Sequence, residues 1–303
     1  MPATLDLKNW TSLPDAPLPR AGSSVGVIGS LLMVAGGTYW VDGVKYWTDQ
    51  VDAFDLEKRA WQRLPSLPAL RGDMASIVHA GRFLLIGGGT QDSAMDTVVA
   101  WENGAWTERP ELRLPEPRRS AMASTINDEI FLLGGLTGKG TDFHTATTTL
   151  WSVRPKGSWR VRAPLPKPAR FGAAIGALGG RLIVAGGCVS ENGAVRNLDD
   201  ILAYDPGADR WETIGHLPQP LRGAWGVVMR DRLLVLGGYT SEFRREVMAV
   251  SNDGAVTAAG MLPVALADAR FACRGDNLYG VTGEDGVKRR FPGFIAASFS
   301  APS

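Results

Sequence analysis

Cysteine and histidine are scarce in this 303-residue chain: two of the first, Cys188 and Cys273, and three of the second. Two cysteines cannot build a disulfide framework, and so few thiols and imidazoles leave no cluster of the kind that holds zinc or copper. No metal and no cofactor are therefore expected. Charge of one sign is missing too. Lysine and arginine total 32 against 31 acids, a net charge of +1, so no global field recruits nucleic acid or an anionic membrane, and electrostatic selectivity has to be local. No apolar run approaches the roughly 20 residues of a membrane helix, and Met1 to Trp10 lacks the apolar stretch of a signal peptide. These absences lead to the expectation of a cytoplasmic monomer without membrane or nucleic-acid partners. Glycine, by contrast, occurs 37 times and tryptophan 10 times.

The length is about twice that of a usual domain, which allows two domains or one large repetitive one. The glycines decide. Doublets follow short apolar runs in LLMVAGG (Gly36, Gly37), FLLIGGG (Gly87, Gly88), IFLLGG (Gly134, Gly135), LIVAGG (Gly186, Gly187) and LLVLGG (Gly237, Gly238). LYGVTG, ending at Thr282 and Gly283, is a degraded sixth copy. The steps between copies are 51, 47, 52, 51 and 45 residues. An aromatic residue precedes a tryptophan in four units (Phe54 and Trp61, Trp101 and Trp106, Trp151 and Trp159, Tyr204 and Trp211), and an LP turn with arginine follows. Each unit reads as four short strands a to d, with no helical periodicity. Six such sheets around an axis make an all-β, six-bladed β-propeller. Residues 1–303 then form a single domain whose last blade consists of residues 264–303 plus an N-terminal strand at 6–14, because KNWTSLP carries a strand d signature with no strands a to c before it.

These doublets, aromatic positions and LP–Arg turns resemble Kelch repeats over essentially the whole chain. The likeness implies a Kelch propeller and little about chemistry, since such propellers include enzymes and binding modules.

Seven of the ten tryptophans fall at repeat positions, leaving Trp40, Trp47 and Trp225. Trp40 and Trp47, with Tyr39 and Tyr46, lie in the long b–c loop of blade 1 and suit the apolar face of a sugar or a peptide side chain, or else a loop packed on its own blade. Arg20, Arg71, Arg119, Arg170 and Arg222 precede their first glycine by 16, 16, 15, 16 and 15 residues, which suggests a rim of guanidinium groups at the channel mouth. That rim would capture carboxylate or phosphate, or would clamp neighbouring blades. In blade 6 the ring position is Ala267, and Arg270 falls inside strand a, where it needs a partner. Glu284 is the nearest by register, with Arg290 six residues beyond.

A Gly-Glu with an arginine six residues on, in a Kelch b–c loop, resembles the loop of the bacterial N-acetylneuraminate epimerases, sialic acid mutarotases in which the pair sits in a middle blade rather than the last. The resemblance implies Glu284 and Arg290 as the catalytic pair. Mutarotation needs a base for the anomeric hydroxyl and an acid for the ring oxygen; Glu284 suits the first task, and arginines suit carboxylate clamping better than proton donation. The donor stays unassigned, His144 being the one histidine on that face. Cys188 also faces the mouth. The function expected is a cofactor-free mutarotase or epimerase of an anionic sugar, with Glu284 and Arg290 catalytic and the six arginines and three tryptophans binding substrate. The alternative is a non-enzymatic Kelch module that holds an acidic peptide or carbohydrate at the channel mouth.

Overall fold

Every apolar run that precedes a glycine doublet is the second strand of a four-stranded antiparallel sheet, and six such sheets surround a central channel. They are seen in a computed structural model that describes Leu7 and residues 9–138, 143–191 and 193–299. Asp6 and Lys8 of the expected closing strand, part of the blade 3 b–c loop at 139–142, and the 300–303 end of blade 6 lie outside the described residues. Blade 1 shows the pattern: strand a at Ser24–Ile28, b at Leu31–Ala35, c at Val51–Asp55 and d at Ala60–Leu64. Blade 6 takes a, b and c from Arg270–Arg274, Asn277–Val281 and Phe294–Ser298, and d from Thr11–Leu13 at the opposite end of the chain. Helix is limited among the described residues to two single 3₁₀ turns, Pro110–Leu112 and Phe143–Thr145.

The core lies between blades. Met33, Ala35, Val51 and Ala53 of blade 1 pack on Phe83, Leu85, Val99 and Trp101 of blade 2. Each large apolar side chain buried this way contributes roughly 1.5–3 kcal/mol. In blades 1 to 4 the strand d tryptophan ties its blade to the one before it: Trp61 Nε1 donates to Pro14 O at 2.7 Å, Trp106 to Pro65 O at 3.1 Å, Trp159 to Leu112 O at 2.9 Å and Trp211 to Ala163 O at 2.9 Å. The glycine doublets explain themselves by close approach. Gly87 has φ +62°, and a Cβ there would lie 2.2 Å from Arg118 O of the next blade. That same carbonyl accepts the Gly88 N–H at 2.7 Å, so a side chain would push apart an inter-blade hydrogen bond.

The carbonyl-bearing residues at these seams are Arg20, Arg71, Arg118, Arg170, Leu221 and Leu266, each 16 residues before the first residue of its doublet, which in blade 6 is Thr282. The guanidiniums of the four arginines are held by their own blades. Arg170 grips Asp200 with two 2.7 Å hydrogen bonds; Arg20 grips Asp52 at 2.7 Å, yet burial still pushes its pKa down to about 10. Arg71 forms no ion pair among the described residues, the charge of Glu108 acting on it only from a distance. Its best partner is Thr97 Oγ1 at 2.9 Å, and burial pulls its pKa down as well. Thr97 and Asp200 are equivalent, since each carbonyl accepts the first glycine N–H of its blade. Thr97→Asp is therefore expected to give a guanidinium that is already desolvated a charge-assisted hydrogen bond, raising stability by about 1.5–3 kcal/mol and the melting temperature by several degrees. An unchanged melting temperature would show that Thr97 and the Gly87 carbonyl already satisfy Arg71.

Candidate functional site

One residue of spacing separates the arginines that clamp from those that face the channel. Side chains alternate along an extended segment, so a shift of one position moves a residue to the opposite face. Position 15 before the glycine holds Ala21, Gly72, Arg119, Phe171, Arg222 and Ala267, and each forms a β-bridge with the residue that follows its doublet: Thr38, Gly89, Leu136, Cys188, Tyr239 and Glu284. Arg119 and Arg222 thus line the cavity. Arg20, Arg71 and Arg170, at position 16, are only 1–3% exposed and do not line it. The expected five-membered rim contracts to two arginines for this reason, joined by Arg270 and Arg290 of blade 6.

The b–c connections at the mouth include hairpins where a loop was expected. In blade 1, Thr38–Val41 pairs with Val44–Trp47 around an Asp42-Gly43 turn whose φ values are 47° and 78°. That is the two-residue turn suited to the twist of a hairpin. Thr38, Trp40, Lys45 and Trp47 share one face of it, while Tyr39 and Tyr46 stack on the other with ring centroids 5.6 Å apart. Neither Trp40 nor Trp47 lines the cavity. Cations stand over their rings instead, Lys288 Nζ at 5.1 Å and the Arg290 guanidinium at 5.8 Å from Trp40, and Lys45 Nζ at 5.1 Å from Trp47. Trp225, in strand a of blade 5, does line the cavity, with Nε1 donating to Phe271 O at 2.8 Å.

In blade 6 the hairpin Glu284–Gly286 and Arg289–Arg290 places Glu284 directly opposite Arg290. Their side chains form an ion pair. Arg290 is 7% exposed and also reaches Thr38, donating to its carbonyl and its hydroxyl at 3.2 Å each. The Glu284 side chain, 28% exposed, opens onto the cavity. Enclosure by protein, reinforced by the charge of Asp268, pushes its pKa above the usual carboxylate range, against the pull of Arg290 and Lys45. Arg270 departs from the expectation that paired it with Glu284. It stacks on Trp225, its guanidinium carbon 4.4 Å from the ring centroid, and donates to the Ser23 and Asp268 carbonyls at 2.8 and 3.1 Å.

The cavity has a volume of about 920 Å³, within the range of small-molecule sites, and its wall has two characters. Blades 6, 1 and 2 contribute Asp268, Glu284, Arg290, Lys45 and Asp73, whereas blades 3 to 5 contribute Leu136, Phe143, Phe171, Tyr239 and Phe243. Arg119 bonds Asp73 at 2.6 Å. Arg222 lies against the face of Tyr239 at 4.5 Å and donates to Asn197 Oδ1 at 2.7 Å, with no acidic partner among the described residues. His144 is exposed beside Ser190 and off the cavity wall. Cys188 does line the wall, but burial pushes its thiol up to about 12, so it is not poised as a nucleophile. Lys45, Asp73 and Asp268 escaped notice in the sequence. Asp42-Gly43 flanked by valines was the available signal for the hairpin that carries Lys45.

The Kelch motif matches residues 19–68 and 169–218, which cover blades 1 and 4. The N-acetylneuraminate epimerase of Brucella suis is 29% identical over 178 residues, 55% of this chain and 43% of that protein. Kelch-like protein 34 of Homo sapiens is 28% identical over 254 residues, 78% of this chain and 38% of that protein. Kelch repeat protein M-T8 of myxoma virus is 29% identical over 64% of this chain and 37% of its own length. The chain thus spans less than half of each of these relatives. The solved structure of YjhT superposes with a TM-score of 0.74 over 94% of this chain and 95% of that one at 14% identity, a likeness of fold. Six four-stranded sheets, glycine-doublet seams and these matches together identify a six-bladed β-propeller of Kelch motifs with moderate similarity to N-acetylneuraminate epimerases.

Proposed function

We propose that the protein is a cofactor-free mutarotase that interconverts the anomers of an anionic keto-sugar of the sialic acid type. The observation that carries this reading is Glu284, a half-buried carboxylate held by Arg290 and open to the cavity, with a pKa raised toward the range useful to a base. In this reading Glu284 removes the proton of the anomeric hydroxyl, the ring C–O bond opens, and reclosure on the other face of the ketone yields the other anomer. Arg222, without an acidic partner among the described residues, would take the sugar carboxylate, and the aromatic side of the wall would take its less polar face. Similarity to the N-acetylneuraminate epimerases supports the substrate class.

The test is direct. A pure α-anomer of N-acetylneuraminate, released by a sialidase, is followed by proton NMR with and without the protein; faster appearance of the β-anomer is the expected result, and an unchanged rate would sink the reading for that sugar. The Kelch-like relatives favour a second reading, a binding module for an acidic peptide. No anomer exchange, together with retention of such a peptide that Arg222→Ala abolishes, would support it.

A further inference from the structure

We infer that Lys45 is the proton donor to the ring oxygen, the partner that Glu284 needs on the other side of the scissile C–O bond. This inference rests on the mutarotase reading.

The cavity wall contains four arginines, Arg119, Arg222, Arg270 and Arg290, and two lysines, Lys45 and Lys288. Guanidinium does not give up its proton in proteins, so the arginines can orient an anion but cannot supply a proton. Of the two lysines, Lys288 is exposed at the hairpin tip of blade 6, whereas Lys45 is half-buried on the inner face of the blade 1 hairpin. A lysine withdrawn from water is rarely left without a charged partner. Lys45 forms no ion pair or side-chain hydrogen bond among the described residues, and its Nζ stands over the face of Trp47, 5.1 Å from the ring centroid. It projects from a different blade than Glu284, so the two groups approach a bound sugar from separate hairpins.

The charges that act on Lys45 come from three other blades: Asp73 from the turn of blade 2, Arg119 from blade 3, and Glu284 and Arg290 from the hairpin of blade 6. Desolvation, the largest effect, and the two arginines make its ammonium more acidic than a lysine in water, while Asp73 and Glu284 oppose them. The step balances without a redox partner. Glu284 accepts the anomeric proton, the carbonyl forms as the ring C–O bond breaks, and its electron pair leaves on the ring oxygen, which takes a proton from the Lys45 ammonium. After rotation, the new hydroxyl returns its proton to the Lys45 amine as it attacks the opposite face of the ketone, and Glu284 gives its proton to the anomeric oxygen. Both groups end as they began.

Lys45→Arg separates donation from mere attraction, because it keeps the charge and removes the transferable proton. Wild type, Lys45→Arg and Lys45→Met are compared by NMR anomer exchange of N-acetylneuraminate from about pH 5 to about pH 10, with melting temperatures to show that each is folded. The expected result is a loss of about 100-fold or more in kcat for both variants, KM within a few-fold for Lys45→Arg, and disappearance of the basic limb of the wild-type profile. A folded Lys45→Arg that keeps wild-type kcat and its basic limb overturns the assignment of Lys45 and leaves the mutarotase reading standing. No acceleration by wild type overturns both.

Discussion

Glu284→Gln is expected to lower kcat for anomer exchange by about 10²- to 10⁴-fold, the usual contribution of a positioned general base, while leaving the melting temperature close to that of wild type. The amide oxygen can still accept from Arg290, and Arg290 keeps its two contacts to Thr38, so the hairpin has no reason to open. The pH dependence carries a sign that can be checked. The carboxyl is held above its ordinary range chiefly by enclosure, so wild-type activity should fall as pH drops through that raised pKa, and the acid limb should lie above the position of an exposed glutamate. In Glu284→Gln the limb should vanish. The same shift acts on stability with the opposite preference: the folded state binds this proton more tightly than the unfolded chain, so the stabilisation it contributes is present at low pH and is lost as pH rises through the folded-state pKa. NMR exchange rates and thermal melts of both proteins over the acidic range test both statements. A variant with wild-type rate and an unchanged acid limb would remove Glu284 from the chemistry and turn attention to Asp268, whose carboxyl also lines the cavity.

The architecture was legible in the sequence because it follows from local demands repeated six times. A glycine doublet marks five of the six places where one blade's chain touches the carbonyl of the next, and an indole reaches back from strand d to the preceding blade in four. Glu284 and Arg290 were named together in the sequence through the family resemblance, and the structure sets them opposite each other across one hairpin. The rim was not. Arg119 and Arg170 differ by one residue in their distance from the glycine, and that residue decides between Asp73 at the edge of the cavity and Asp200 inside the blade. A search that tolerates 15 or 16 residues averages over two opposite faces of the chain. Lys45 was hidden for a different reason. A connection between repeats has no period to test against, and its inner and outer faces emerge only once the Asp42-Gly43 turn pairs Trp40 with Lys45.

Deletion of residues 1–14 is expected to abolish cooperative folding or to lower the melting temperature by well over ten degrees. Thr11, Ser12 and Leu13 pair with Ala296, Ile295 and Phe294, which makes the N-terminus the outer strand of the last blade. Leu13 is buried against Phe54 and Phe294, and Pro14 supplies the carbonyl that receives the Trp61 indole of blade 1. Further back, Leu7 is 2% exposed, and its N–H donates to Ala259 O of blade 5 at 2.8 Å. Trp10 meets Phe271 edge to face at 6.5 Å. The segment therefore touches blades 5, 6 and 1 at once. The two buried leucines, Leu7 and Leu13, account for roughly 1.5–3 kcal/mol each in apolar burial, and the half-buried Trp10 and the strand hydrogen bonds add to that. The sum is comparable to the whole stability of about 5–15 kcal/mol of a typical domain. Removal would also leave Phe294–Ser298 as a bare apolar edge, a template for association. The truncated chain should accordingly lose its sharp thermal transition and elute as aggregates in size-exclusion chromatography. Adding a synthetic peptide of residues 1–18 should restore part of the transition, because the missing strand can re-pair without a covalent link. A truncated chain that melts at the wild-type temperature and elutes unaggregated would mean that the ring does not depend on this strand for closure.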